Sequence, residues 1–202
     1  MSLGRDLNIL LLDAAHPFGN GRTLPMGYLR EPVSAINRAD IAVLTRADRV
    51  GPYILKSNMR AIAGLAPGLP VALAAHRPKS LRQVNNGEET PLSGLAGMRV
   101  LAVSGVADPA SFALILENLR AKITQSLVYP DHHSYTPSDK CDIQARAKES
   151  GAELIVTTEK DAVKLAGLEL GGVGLLALGI EMEFIEGEGE LIKRLDALFS
   201  AG

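Results

Sequence analysis

Two of the four histidines stand together in Tyr129-Pro130-Asp131-His132-His133-Ser134-Tyr135-Thr136. Imidazole titrates near neutrality, so a histidine following a carboxylate can take a proton from an attacking hydroxyl or orient the group that does. Either His132, directly after Asp131, or His133 could take that role, and the sequence alone does not choose between them. The same residues admit two other readings. Asp131, His132 and His133, with Asp13, could serve a metal-dependent hydrolase, although adjacent histidines point in diverging directions and no metal site is expected. Alternatively the histidines are solvated loop residues and Thr136 caps the helix that follows. A second candidate is the stretch Phe18 to Pro32, where Gly19, Gly21 and Gly27 allow close backbone approach and Arg22, Arg30 and Glu31 supply charge. The planar arginine fork suits phosphate because it donates two parallel hydrogen bonds. A third is Thr157-Thr158-Glu159-Lys160-Asp161-Ala162-Val163-Lys164, where Thr158 can cap a helix and Lys160 is available to phosphate or carboxylate. Asp13 ends an apolar run and could bind a ligand or only form a turn. His16 and His76 are isolated and receive no role.

These residues need a scaffold, and the apolar pattern predicts one. Leu7 to Asp13 is a short apolar run expected of a buried parallel strand that delivers Asp13 to a sheet edge. The loop from His16 to Pro32 is too long to be a mere connection. A short helix to about Asn37 and a strand from Asp40 to Thr45 follow. Ile54, Leu55, Met59, Ile62 and Leu65 fall at helical spacing from Pro52 to Leu65, and Pro67-Gly68 stops that helix. A strand is predicted over Val71 to His76. From Pro78 to Gly97 the pattern breaks around Asn85-Asn86-Gly87, which reads as a hairpin linker. Beyond it strands at 100–106, 126–129, 154–157 and 173–180 (with Phe184) alternate with helices at 109–123, 137–150, 159–165 and 188–199. Such alternation predicts an α/β fold: parallel, Rossmann-like layers with helices on both faces. The expected organisation is residues 1–77 as part of a core domain, 78–97 as linker and 98–202 as a carboxy-terminal Rossmann-like domain. A first strand without a neighbour on one side would be an edge open to self-association.

Composition narrows the classes. The chain has 202 residues, 47% of them hydrophobic and 22% charged, which suits a folded α/β protein with a real core. A formal net charge of -2 offers no general attraction to nucleic acid, and none is expected as a partner. The single cysteine, Cys141, excludes an intramolecular disulfide and a cysteine-based zinc site; it is expected partly buried in a helix, with no catalytic role. No apolar run approaches the roughly 20 residues of a membrane-spanning helix. Met1-Ser2-Leu3 leads abruptly into the first strand, as expected of a start placed inside a longer gene.

Taken in order, four segments resemble the tetraacyldisaccharide 4'-kinase family. The long loop is similar to its Gly-rich stretch ending in Pro-x-Gly-x-Leu-Arg-Glu-Pro, here Pro25-Met26-Gly27-Tyr28-Leu29-Arg30-Glu31-Pro32. Similarity continues at Val103 to Phe112, where Ala107-Asp108 replaces the family's usual Gly-Asn. It is strongest at Pro130-Asp131-His132-His133 and at Thr158 to Lys164. The resemblance implies an ATP-dependent lipid kinase at the cytoplasmic face of the bacterial inner membrane, phosphorylating the 4'-hydroxyl of a lipid disaccharide in lipid A biosynthesis. It implies His132 and Asp131 as catalytic residues, and Asp13, Arg22, Arg30, Glu31 and Lys160 along the substrate or nucleotide cleft. Mg2+ and ATP serve the full-length enzyme. No Gly-x-x-x-x-Gly-Lys run followed by Ser or Thr occurs in the chain. By the resemblance the P-loop, an Asp-Asp-Gly-x-Gln segment, a membrane-anchoring helix and the aspartate partner of the catalytic histidine lie upstream. The chain is therefore expected to be the carboxy-terminal half, inactive alone and binding neither ATP nor Mg2+. The reading it competes with is a non-catalytic Rossmann-like domain that binds an anionic metabolite.

Overall fold

A computed structural model describes residues 5–167 and 172–200; Met1-Ser2-Leu3 lies outside them. Strands β1 (Ile9–Asp13), β2 (Ile41–Thr45), β3 (Val71–Gln83), β4 (Glu89–Thr90), β5 (Arg99–Ser104), β6 (Lys122–Val128), β7 (Leu154–Thr158) and β8 (Gly174–Glu186) alternate with five helices. These are α1 (Pro52–Leu65), α2 (Pro109–Asn118), α3 (Pro137–Glu149), α4 (Glu159–Leu165) and α5 (Glu188–Ser200). The chain divides into two compact units, residues 1–77 with 182–202 and residues 78–181, and β3 and β8 each run from one into the other.

In the first unit β1, β2 and β3 are parallel neighbours in that order, Ile9 pairing with Ile41 and Ala42 with Val71. Alternate residues serve opposite faces, as the strand repeat of two requires. Leu44 and Leu73 pack with Ile62 of α1, whereas Ile41, Val43, Ala72 and Ala74 face Phe184 and Leu191 of the returning chain.

The second unit has the order β8-β7-β5-β6, all parallel. Val100 and Ala102 of β5 pack with Phe112, Ile115 and Leu116 of α2; Leu101 and Val103 pack with Ile143 and Ala147 of α3 and Leu165 of α4. Helices therefore cover both faces, as predicted. Each fully buried Leu or Ile contributes roughly 1.5–3 kcal/mol through apolar area removed from water. The Asn85-Asn86-Gly87 turn joins β3 to an antiparallel β4, with Gly87 at φ 73°.

Two boundaries differ from the sequence pattern. Helix α2 ends at Asn118 and not near Ile123, because Arg120 adopts a left-handed conformation (φ 61°). Its amide donates to Glu117 and that of Ala121 to Leu116, a Schellman closure with arginine where glycine is usual. Ile123 consequently belongs to β6. Strand β3 continues through Pro78 to Gln83, where a proline would ordinarily interrupt a strand. Cys141, expected partly buried, is exposed on α3.

Candidate functional site

Connections from β5 and β7 leave in opposite directions, β5 through α2 to β6 on one side and β7 through α4 to β8 on the other. The gap between their carboxyl ends is a topological switch point, where open α/β sheets place ligands. Gly105, following β5, and Thr158 to Asp161, opening α4, both lie there, and the 129–136 segment follows β6 at the same edge. Three of the residues singled out from sequence meet in this segment. Lys160 Nζ donates to Asp131 Oδ1, the His132 backbone N–H donates to the same oxygen at 2.9 Å, and His132 Nε2 lies 3.8 Å from Asp131 Oδ2. The bond from Lys160 is the first cause holding the Asp131 carboxyl below its ordinary pKa, which keeps it ionised.

The two histidines differ sharply. His133 stacks on Tyr129 with ring centroids 4.8 Å apart, meets Tyr135 edge-on at 5.0 Å, and its Nε2 lies 3.0 Å from Asp139 Oδ2. Its side chain is 24% exposed, against 80% for His132. His133 is committed to packing and His132 projects freely. His132 also has φ 61°, a left-handed backbone rarely adopted by a residue with a Cβ.

Asp139 organises the start of α3. Thr136 and Asp139 form a reciprocal capping box, each side chain accepting from the other's backbone amide. The Thr136 backbone amide first, then its hydroxyl and His133, lower the Asp139 pKa from 3.8 to about 2. The folded value lies below the unfolded one, so this contribution is fully present above about 3.8 and is lost as pH falls through about 2. At about pH 3, where a free aspartate is mostly protonated, Asp139 is expected to remain ionised. A carboxyl carbon NMR titration checks this; a midpoint at the free-aspartate value would contradict it.

In the first unit, Asp13 pairs with Arg46, whose left-handed backbone (φ 56°) closes β2. Burial, then Arg46 and Arg49, lower the pKa of His76 nearby. Glu31 pairs with Arg38. Asp13, Arg30 and Glu31 line one hollow of about 670 Å³ beside β1, and exposed Arg22 does not. The 16–32 loop is bound to itself: Asn20 accepts from the Arg22 amide and donates to the Met26 carbonyl, the Leu24 amide donates to the Leu29 carbonyl, and the Leu29 amide donates to the Arg22 carbonyl.

Comparison with known proteins fits this arrangement. Residues 1–200 match the family model described as tetraacyldisaccharide-1-P 4'-kinase, LpxK. The chain belongs to this family. A tetraacyldisaccharide 4'-kinase of Pelobacter propionicus is 44% identical over 169 residues, 84% of this chain and 44% of that protein. One from an Anaeromyxobacter species is 38% identical over 201 residues, 100% of this chain and 54% of the relative. A crystal structure of the "apo" form of LpxK from Aquifex aeolicus in complex with ATP superposes with a TM-score of 0.66 at 32% identity, covering 98% of this chain and 54% of that one. The chain thus spans about half the length of the curated relatives it matches.

The LpxK-type segments identified in the sequence lie at carboxyl ends of strands or in the loop after β1, and several partners were not foreseen. These are Arg38 and Arg46, which pair with Glu31 and Asp13, together with Tyr135 and the buried Asp161. Only the Thr158-x-x-Asp161 spacing could have signalled one of them, as a helix-start signature.

Proposed function

We propose that the chain forms part of an ATP-dependent kinase that transfers the γ-phosphoryl group of ATP to the 4'-hydroxyl of tetraacyldisaccharide 1-phosphate in lipid A biosynthesis. The observation that carries this reading is family membership across residues 1–200. The 129–136 segment supplies side chains suited to it. His132, exposed at the switch-point edge, accepts the proton of the attacking hydroxyl. The ionised Asp131 beside it faces the positive charge the imidazole then acquires, and Lys160 anchors that carboxylate. Little covalent chemistry falls to the protein in phosphoryl transfer, so placement and charge dominate.

In the first unit, Arg30, Glu31 and Asp13 border the hollow beside β1 and Arg22 is exposed in the 16–32 loop; these are proposed to contact the phosphates of substrate or nucleotide. Among the described residues no group of three or more His, Cys, Asp or Glu side chains is placed to hold a metal ion. Asp131 and Asp13 are moreover engaged by Lys160 and Arg46. The described residues therefore do not fit a Mg2+ site of their own; the Mg2+ used in this class of reaction would travel with the nucleotide phosphates.

The enzyme is proposed to act at the cytoplasmic face of the bacterial inner membrane. No helix among the described residues is long and apolar enough to cross a membrane. Incubating the full-length protein with γ-labelled ATP and the lipid disaccharide tests the reading: label is expected at the 4'-position, and label absent from the lipid or attached elsewhere would overturn it.

In the first unit β1 is paired on one side only, by β2, and exposes Ile9 (44%) and Leu11 (58%). An apolar edge of this kind pairs with another strand. This chain is therefore proposed to self-associate through β1, giving a light-scattering mass that rises with concentration; a strict monomer at millimolar concentration would refute it.

A further inference from the structure

Asp161 is 0% exposed, the sole carboxylate among the described residues that is buried. Its Oδ2 accepts from the Gly105 amide and from the Thr158 hydroxyl, both at 2.8 Å. Its Oδ1 is buried with no hydrogen-bond partner, and the Tyr135 hydroxyl is in the same position. Thr157 Oγ1 is a third such atom in this unit; buried polar atoms are paired in the great majority of cases, so the Asp161 and Tyr135 orphans require explanation. They lie against the same point: a Cβ built on Gly105 would be 3.0 Å from Asp161 Oδ1 and 3.3 Å from the Tyr135 oxygen. One is an obligate acceptor and the other a donor. Burial first, and then the Asp161 charge, raise the Tyr135 pKa above its ordinary 10.0, so the phenol keeps its proton. The Pro130 carbonyl, 3.2 Å from the same point, is a rival acceptor. Donation there would leave a buried carboxylate oxygen orphaned, which costs more than a bare carbonyl.

We propose that the Tyr135 hydroxyl donates to Asp161 Oδ1, and that this buried pair is the pin by which α4 holds His132 in its left-handed conformation. Helix α4 grips the 129–136 segment at three points in all. Lys160 binds Asp131, Asp161 binds Tyr135, and Lys164 Nζ donates to the His133 carbonyl at 2.7 Å. His132 sits between these grips. A strained backbone persists only where its surroundings over-determine it. The Lys160 and Lys164 contacts reach solvent, so the shielded Tyr135–Asp161 bond is the member that cannot be exchanged for water. A Cβ at Gly105 would crowd both atoms, which would have to give by a few tenths of an ångström. Tyr135 and Asp161 are thus positioning residues. Their effect on turnover rests on the proposed role of His132, whereas their effect on its conformation does not.

The test uses Tyr135→Phe and Asp161→Asn, each read in two ways. In this chain, the one-bond Cα–Hα coupling of His132, which distinguishes positive from negative φ, is measured by NMR alongside its imidazole shifts. In the full-length enzyme kcat and KM are measured. Tyr135→Phe is expected to move the His132 coupling toward negative φ in a spectrum otherwise still dispersed, and to lower kcat by about tenfold or more with little change in KM. Asp161→Asn should leave both readouts near those of the parent. Its carbonyl can serve Gly105 and Thr158 while its amide donates to the phenol oxygen, and that rescue is one a role in bulk stability would not produce. If the His132 coupling is unchanged in Tyr135→Phe, the pin is refuted. If the coupling moves and kcat does not, the pin stands and His132 is not the catalytic base.

Discussion

Replacing His132 by alanine in the full-length enzyme is expected to lower kcat by about 10²–10⁴-fold, the usual contribution of a positioned general base. His132 is the one of the two adjacent imidazoles free to act, for His133 is held by Tyr129, Tyr135 and Asp139. The exposed ring contributes little packing, so the variant should unfold at nearly the parent temperature and its loss appear in kcat with KM little altered. His133→Ala should reverse the pattern, loosening the segment and lowering stability. Turnover of His132→Ala within twofold of the parent would remove His132 from the mechanism.

The second large effect is expected at Gly27. Its φ is one that any residue can adopt, so alanine is excluded by space alone. A Cβ there would fall inside the contact radius of the Arg22 carbonyl oxygen and of the Asn20 side-chain oxygen. The first of these is backbone and cannot rotate away, so the 16–32 loop must open. Overpacking of this kind costs about 1–3 kcal/mol. The open population, and with it the rate of tryptic cleavage after Arg22 or Arg30, should rise on the order of 10–100-fold while the rest of the unit stays folded. Cleavage within twofold of the parent rate would show that the loop is not held by its own contacts.

Much of the fold was legible because strands and helices carry local signals. The run at Val100 to Val106 read as a strand because buried parallel strands are apolar on both faces, and α1 because its apolar residues recur at helical spacing; Leu7 to Asp13 read as a buried strand by the same rule, but β1 buries one face only and leaves Ile9 and Leu11 exposed. The end of α2 was not legible, because Arg120 occupies a left-handed position where glycine is the usual signal. The length of β3 was hidden by Pro78, which breaks the pattern without breaking the strand. At the site, Asp131 and His132 stood out because they are adjacent in sequence. Their supports did not, because Lys160 is 29 residues from Asp131 and Gly105 is 56 from Asp161. The parallel sheet makes them neighbours by gathering its carboxyl-end loops at one edge. A single sequence carries no mark of which loops will meet there.

Chemical rescue addresses the proposed proton transfer most directly. A His132→Gly variant of the full-length enzyme should be nearly inactive and should recover 4'-phosphorylation in proportion to added imidazole, with a pH dependence that follows the added base. A variant that turns over at the parent rate, indifferent to imidazole, would contradict the assignment of His132 as the group that takes the proton.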